Sequence, residues 1–137
     1  MAQGMALKYD TMAPLGQEQI TMLLVEDEER CRHALQRVLR ANGYVVHAVG
    51  SAEEAMALLS RTETTLSFMV VDVDLPGMCG LDLVRMIKAA KPEIHSMLVT
   101  GADKQLVQQF CNQHAVDYFP KPLDISRFLK HIKKEVH

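Results

Sequence analysis

The sequence predicts an α/β protein whose parallel sheet is covered by helices on both faces. Two observations carry this. Short apolar runs alternate with stretches of helical spacing along most of the chain, and the runs are apolar throughout rather than at every second position. Strands buried on both faces read in that unbroken way. Each return between parallel strands needs a crossover helix, almost always right-handed.

Taken in order, the elements support this prediction. Residues up to about Gln19 show no period and contain Pro14 and Gly16, so 1–20 read as a flexible N-terminal extension and 21–137 as the folded unit. Thr21 to Val25 (TMLLV) suits a buried strand. From Glu28 the spacing turns helical, with Cys31, Leu35, Val38 and Leu39 on an apolar face and Arg30, His33 and Arg37 on the polar one. Gly43 is placed to end that helix. Tyr44 to Val49 is rich in β-formers, and Ser51 with Glu54 makes a capping box for a helix carrying Ala55, Leu58 and Leu59. Leu66 to Val71 is a continuous apolar strand. Leu81, Leu83, Val84 and Ile87 pattern the next helix, which must stop before Pro92. His95 to Val99 reads as a strand, Lys104 to His114 as a helix with Leu106, Val107 and Phe110, and Val116 to Phe119 as a short strand. Ile125, Phe128, Leu129 and Ile132 make the final helix. There is no internal repeat.

Composition narrows the function classes. The 137 residues suit one domain, and with 48% of them apolar a real core is expected. A net charge of −2 argues against direct nucleic-acid binding, which favours a basic face. The three cysteines, Cys31, Cys79 and Cys111, are too few and too scattered for a disulfide framework and suggest reduced thiols. No stretch approaches the ~20 apolar residues that span a bilayer, and the N-terminus does not read as a signal peptide. A cytoplasmic protein with no membrane partner is expected.

In an open parallel sheet, ligands bind outside the carboxyl ends of the strands. The first strand ends in Glu26-Asp27, the third in Asp72, the fourth in Thr100-Gly101, and the fifth leads to Lys121 just past Pro120. Three carboxylates so gathered repel by about 4 kcal/mol per pair at about 4 Å. Such a cluster holds a proton or a hard cation, with Mg²⁺ a better match than Ca²⁺ where protein ligands are few. A lysine nearby suits an anion held by the same metal, and a phosphoryl group fits because its transfer is mostly positioning and charge neutralisation. Singly, each residue has an ordinary explanation: aspartate opens turns, threonine caps helices, and Lys-Pro is common on surfaces. Their joint placement at strand ends is what points to chemistry.

The double aspartate in VVDVDLPGM, Val70 to Met78, invites two enzymatic readings. A haloacid-dehalogenase-type phosphatase also has a DxD after an apolar strand, but its metal-binding acidic pair follows the lysine. Here Glu26-Asp27 comes first, and after Lys121 only isolated Asp124 and Glu135 remain. A flavodoxin would need a Ser/Thr/Gly-rich phosphate loop where this chain has EDEE, Glu26 to Glu29. The better match runs from about Thr21 to Val136. LLVEDEE, VVDVDLPGMCG, VTG and YFPKP together resemble the receiver domain of bacterial two-component response regulators, of the chemotaxis-regulator kind.

That resemblance implies a flavodoxin-like fold with strand order 2-1-3-4-5 and five helices. It implies that Asp72, four residues before Pro76, is the phosphorylated residue. Glu26, Asp27 and Asp72 would bind Mg²⁺, with Asp74 giving its backbone carbonyl. Thr100 would hydrogen-bond the phosphoryl group, Lys121 would pair with it, and Tyr118 would report the switch by changing rotamer. The bond before Pro122 would be cis. Pro120, unable to donate, independently places the fifth strand at a sheet edge. Three features depart from the family's usual pattern or vary within it. Cys79 stands where Asp, Asn or Ser is usual and reads as a buried or inert thiol, with mild redox sensitivity as the alternative. His114 stands where glycine is common. Asp74 and Ala102 occupy variable positions that tune phosphoryl lifetime. The remaining histidines show no metal-ligand spacing and read as surface residues.

The implied partners are a sensor histidine kinase or phosphotransfer protein, docking on Arg30, His33 and Arg37, and a downstream protein target on the face of the fourth helix, fifth strand and fifth helix. The implied state is a monomer or a phosphorylation-dependent dimer. The implied chemistry is self-phosphorylation and self-dephosphorylation rather than enzymatic turnover. No output domain fits after the last helix, so the chain reads as a stand-alone receiver or a piece of a larger regulator or hybrid kinase. A pseudo-receiver that is never phosphorylated is the rival, disfavoured by the intact Asp72, Thr100 and Lys121.

Overall fold

The computed structural model describes residues 19–61, 65–101 and 104–136. Parallel strands β1 (Thr21–Val25), β2 (Val45–Val49), β3 (Phe68–Asp72), β4 (His95–Thr100) and β5 (Asp117–Pro120) form one sheet in the order β2-β1-β3-β4-β5. Helices α1 (Glu29–Ala41), α2 (Ala52–Arg61), α3 (Gly80–Ala90), α4 (Lys104–His114) and α5 (Ile125–Val136) alternate with the strands. The expected doubly wound fold and strand order are both present. Ala102 and most of the expected N-terminal extension fall outside the described residues; Ile20 is inside, and its carbonyl accepts from the Val45 amide at 2.9 Å.

Alternation along each strand sorts the side chains into two cores. On one face, Leu23, Val25, Met69, Val71 and Leu98 pack with Ala55 and Leu59 of α2, Leu83 and Val84 of α3, and Val107 and Phe110 of α4. On the other, Met22, Leu24, Val70, Met97 and Val99 pack with Leu39 of α1 and Phe128 and Ile132 of α5. Three helices thus cover one face and two the other. The strands are buried from both sides, which is why they read as unbroken apolar runs.

The third strand runs Phe68–Asp72 rather than Leu66–Val71 and the fourth extends to Thr100, while chain reversals account for the late starts of β2 and β5. The Tyr44 amide bonds back to the Leu39 carbonyl at 3.2 Å and the Gly43 amide to Arg40 at 3.0 Å, a Schellman closure with Gly43 at φ 93°. Tyr44 is therefore spent on ending α1, and β2 begins one residue later than expected. Val116 likewise donates to Cys111 at 3.1 Å, so β5 starts at Asp117. The capping box is present, with the Glu54 amide bonded to Ser51 Oγ at 3.1 Å, but the Glu54 carboxylate returns to the Gly50 amide at 3.0 Å. Cys31, expected on the apolar face of α1, is exposed. It lies in the first turn, where its amide bonds to the capping Glu28 carboxylate at 2.8 Å. The left-handed residue before β5 is Ala115, at φ 55°, while His114 stacks on Phe110 with ring centroids 4.3 Å apart. β5 is an edge strand, as Pro120 requires.

Candidate functional site

Asp72 closes the central strand β3 and is only 3% exposed. Its Oδ1 accepts from the Asp74 amide at 3.0 Å, and its Oδ2 accepts from Lys121 Nζ at 2.8 Å. The same Nζ lies 3.7 Å from Glu26 Oε1. Glu26, 7% exposed, follows β1, and its Oε2 accepts from the Glu28 amide at 3.0 Å. Asp27 is exposed, yet one oxygen from each of Glu26, Asp27 and Asp72 falls within a common 4.8 Å. Thr100 ends β4, 2% exposed, and its carbonyl accepts from the Lys121 amide at 2.9 Å. The Lys121–Pro122 bond is cis. The carboxyl ends of three neighbouring strands and the segment after β5 therefore bring together every charged residue singled out there.

Electrostatics follow from the burial. Burial pushes the Glu26 carboxyl from its ordinary 4.5 up to about 7, the Asp72 carboxylate pushes the same way, and the Glu28 amide and Lys121 ammonium pull back. Burial draws the Lys121 ammonium down, but the hydrogen bond to Asp72 and the charges of Asp72 and Glu26 outweigh it, and its pKa is raised. Three carboxylates against one ammonium leave an uncompensated negative pocket. Oxygen-only donors with that surplus fit a hard divalent cation and an anion bound beside it.

Two residues near the periphery take other positions. The Asp74 side chain is exposed, and the residue meets Asp72 through its backbone amide. Tyr118 lies half-buried on β5 and packs against the three-helix core. Arg30, His33 and Arg37 are all exposed on α1, as expected. Cys79 is half-buried at the start of α3, its thiol 3.7 Å from the Val73 carbonyl.

The sequence reading passed over three residues that shape this site. Arg32 Nη1 donates to the Glu26 carbonyl at 2.9 Å and the Asp27 carbonyl at 3.3 Å, fixing the acidic loop. Gly80 comes so close to β3 that a Cβ there would lie 2.3 Å from the Asp72 carbonyl oxygen. Glu53 of α2 accepts from the Met78 amide at 3.4 Å, next to Gly77 at φ 75° in the turn that follows Pro76. Gly80 closes the motif VVDVDLPGMCG without having been given a role, and Arg32 and Glu53 show no local signature because each acts on backbone outside its own helix.

The remaining histidines, expected on the surface, include two that are not fully exposed and that meet an aspartate despite the absence of metal-ligand spacing in the sequence. His95 and His131 are half-buried and meet Asp117, with ligating atoms of all three within 4.8 Å of one another. Linear spacing could not show this, since the three come from β4, β5 and α5.

The profile of the response regulator receiver domain family matches residues 22–133. The response regulator protein FleR of Pseudomonas aeruginosa is 36% identical over 110 residues, covering 79% of this chain and 23% of that protein. The C4-dicarboxylate transport transcriptional regulatory protein DctD of Rhizobium meliloti is 32% identical over 115 residues, covering 83% of this chain and 25% of that protein. The chain thus spans about a quarter of the length of these relatives. Among solved structures, a response regulator receiver protein from Pseudomonas putida superposes with a TM-score of 0.79 at 26% identity, covering 86% of this chain and 98% of that one. None of the described helices is long and apolar enough to cross a membrane. Agreement of sequence profile and sheet topology over the same span gives the assignment: the chain belongs to the response regulator receiver domain family of two-component signalling.

Proposed function

We propose that Asp72 accepts a phosphoryl group from a phosphohistidine on a sensor kinase or phosphotransfer protein in the cytoplasm. The observation that carries this reading is the buried Asp72 carboxylate, 2.8 Å from Lys121 Nζ within an acidic cluster. An Asp72 oxygen forms the new bond to phosphorus while the bond to the donor imidazole nitrogen breaks, and the imidazole leaves with the electron pair and takes a proton from solvent. Lys121, already salt-linked to the site, follows the growing charge on the phosphoryl oxygens. Glu26, Asp27, Asp72 and the Asp74 carbonyl would hold Mg²⁺, which supplies charge neutralisation when bound. Thr100 hydrogen-bonds the phosphoryl group.

Beside the buried Glu26 and Thr100, the aspartyl phosphate adds charge and acceptor oxygens. Drawing Thr100 toward them makes room for Tyr118 to change rotamer, and the α4–β5–α5 face then presents a different surface to a downstream protein. Arg30, His33 and Arg37 of α1 offer the docking surface for the kinase. The chemistry of the domain is limited to its own phosphorylation and dephosphorylation.

Incubation with acetyl phosphate and Mg²⁺ followed by intact mass measurement tests this. A labile adduct of one phosphoryl group forms on the wild type and on Asp74→Asn and is absent from Asp72→Asn. An adduct that survives loss of Asp72 but needs Asp74 overturns the assignment, and no adduct on any of the three favours a pseudo-receiver.

A further inference from the structure

We propose a second metal site, distinct from the acidic cluster, in which His95, Asp117 and His131 bind a divalent transition ion such as Zn²⁺. His95 and Asp117 are the first residues of β4 and β5, at the amino edge of the sheet, and His131 reaches them from α5. The register pairs Met97 with Asp117, so His95 and Asp117 point to the same sheet face, the one α5 covers.

The donor set is that of a transition metal rather than Mg²⁺: two imidazoles and one carboxylate. Asp117 Oδ2 lies 2.8 Å from His131 Nε2 and 3.5 Å from His95 Nε2. Tetrahedral ligands at about 2.1 Å from zinc stand roughly 3.4 Å apart, so one separation already fits and the other must open by about 0.6 Å. His95 Nε2 is buried and makes no hydrogen bond among the described residues. A buried ring nitrogen without a hydrogen bond is an unmet requirement that a metal would fill.

The surroundings hold both rings in place. Phe68 and His95 pack edge-to-face at a centroid distance of 5.1 Å, and Phe119 and His131 do so at 5.2 Å. Glu135, one helical turn beyond His131, places Oε1 3.8 Å from His95 Nδ1. A histidine that ligates through one nitrogen commonly gives its other N–H to a carboxylate, and Glu135 is positioned for that role. Asp117 and Glu135 together match the charge of a divalent ion.

Titrating Zn²⁺ into the full chain by calorimetry, with Mg²⁺ in excess to occupy the acidic cluster, tests the site. One Zn²⁺ binds per chain, and the imidazole NMR signals of His95 and His131 shift while those of His33, His47 and His114 do not. His131→Ala and the near-isosteric Asp117→Asn each weaken binding by at least about tenfold, and Glu135→Gln by about tenfold, the lower end of outer-shell effects. Thermal melts without Zn²⁺ identify any variant that has lost its fold, and Asp117→Asn then carries the test. Zn²⁺ binding that excess Mg²⁺ abolishes, that persists in both His131→Ala and Asp117→Asn, or that leaves the two imidazole signals unmoved overturns the proposal.

Discussion

At the carboxyl edge of the sheet, Glu26, Asp72 and Thr100 are almost wholly buried, and the donors there are hard oxygens answered by one ammonium. At the amino edge, His95, Asp117 and His131 are half-exposed, and the donors are mostly imidazole nitrogens set against phenylalanine rings. Both edges gather ionisable groups from separate elements, yet the consequences diverge. Burial at the first edge makes charge costly, so the pocket responds sharply to a cation, a proton or a phosphoryl group. At the second edge water screens part of the cluster, while the buried His95 Nε2 makes no hydrogen bond, so a bound ion would complete one unsatisfied nitrogen rather than relieve a crowd of like charges.

The largest test of that contrast is Gly80→Ala. The new Cβ would meet backbone, the Asp72 carbonyl at 2.3 Å and Val73 Cα at 2.9 Å, and neither can rotate away. A loss of about 3 kcal/mol is expected in urea melts, together with slower phosphorylation as the end of β3 is displaced. A neutral result would show that α3 can slide off β3 freely and that the carboxyl edge is softer than its burial implies.

The acidic pocket should also make stability depend on pH. The folded-state pKa of Glu26, about 7, lies above its ordinary 4.5, so between those values the folded chain binds more protons than the unfolded one. Stability without Mg²⁺ therefore falls as pH rises through that window, by on the order of 2 kcal/mol. Lys121 does not reverse this, because its raised pKa confers stability that is fully present below 10.5. Glu26→Gln should flatten the profile and Mg²⁺ should restore stability most at the alkaline end, both read by thermal melts at pH 5 and pH 8.

The smallest effect belongs near the other edge. Ala115 holds φ 55°, which costs an L-residue roughly 1 kcal/mol. Ala115→Gly should gain about 0.5 kcal/mol, since glycine also loses more freedom on folding. The adduct on Asp72 should form at an unchanged rate.

These differences also explain what the sequence could disclose. At the carboxyl edge, Asp72 and Thr100 end their strands and Glu26 follows directly on one, so position along the chain translates into position in space. His131 offers no such clue, because its meeting with Asp117 depends on how α5 is turned over the sheet. Packing of Phe128 and Ile132 decides that turn. The glycine at position 80 closes the motif VVDVDLPGMCG, but the reason for it is hidden, being set by a carbonyl eight residues upstream. Strand starts at Val45 and Asp117 slipped by one residue because the preceding amides close helices.

The hydrogen bond from the Lys121 amide to the Thr100 carbonyl, 2.9 Å long, has a further consequence. These two residues are separated by the whole of α4 and β5, yet their spacing is set by the β4–β5 pairing, which this bond extends one step past the sheet edge. Changes on the outer surface of α4, such as at exposed Leu106, can therefore remodel that helix without altering how hydroxyl and ammonium stand to one another. The link insulates the carboxyl-edge pocket from drift in the outer surface of α4, leaving one free to diverge while the other stays in register.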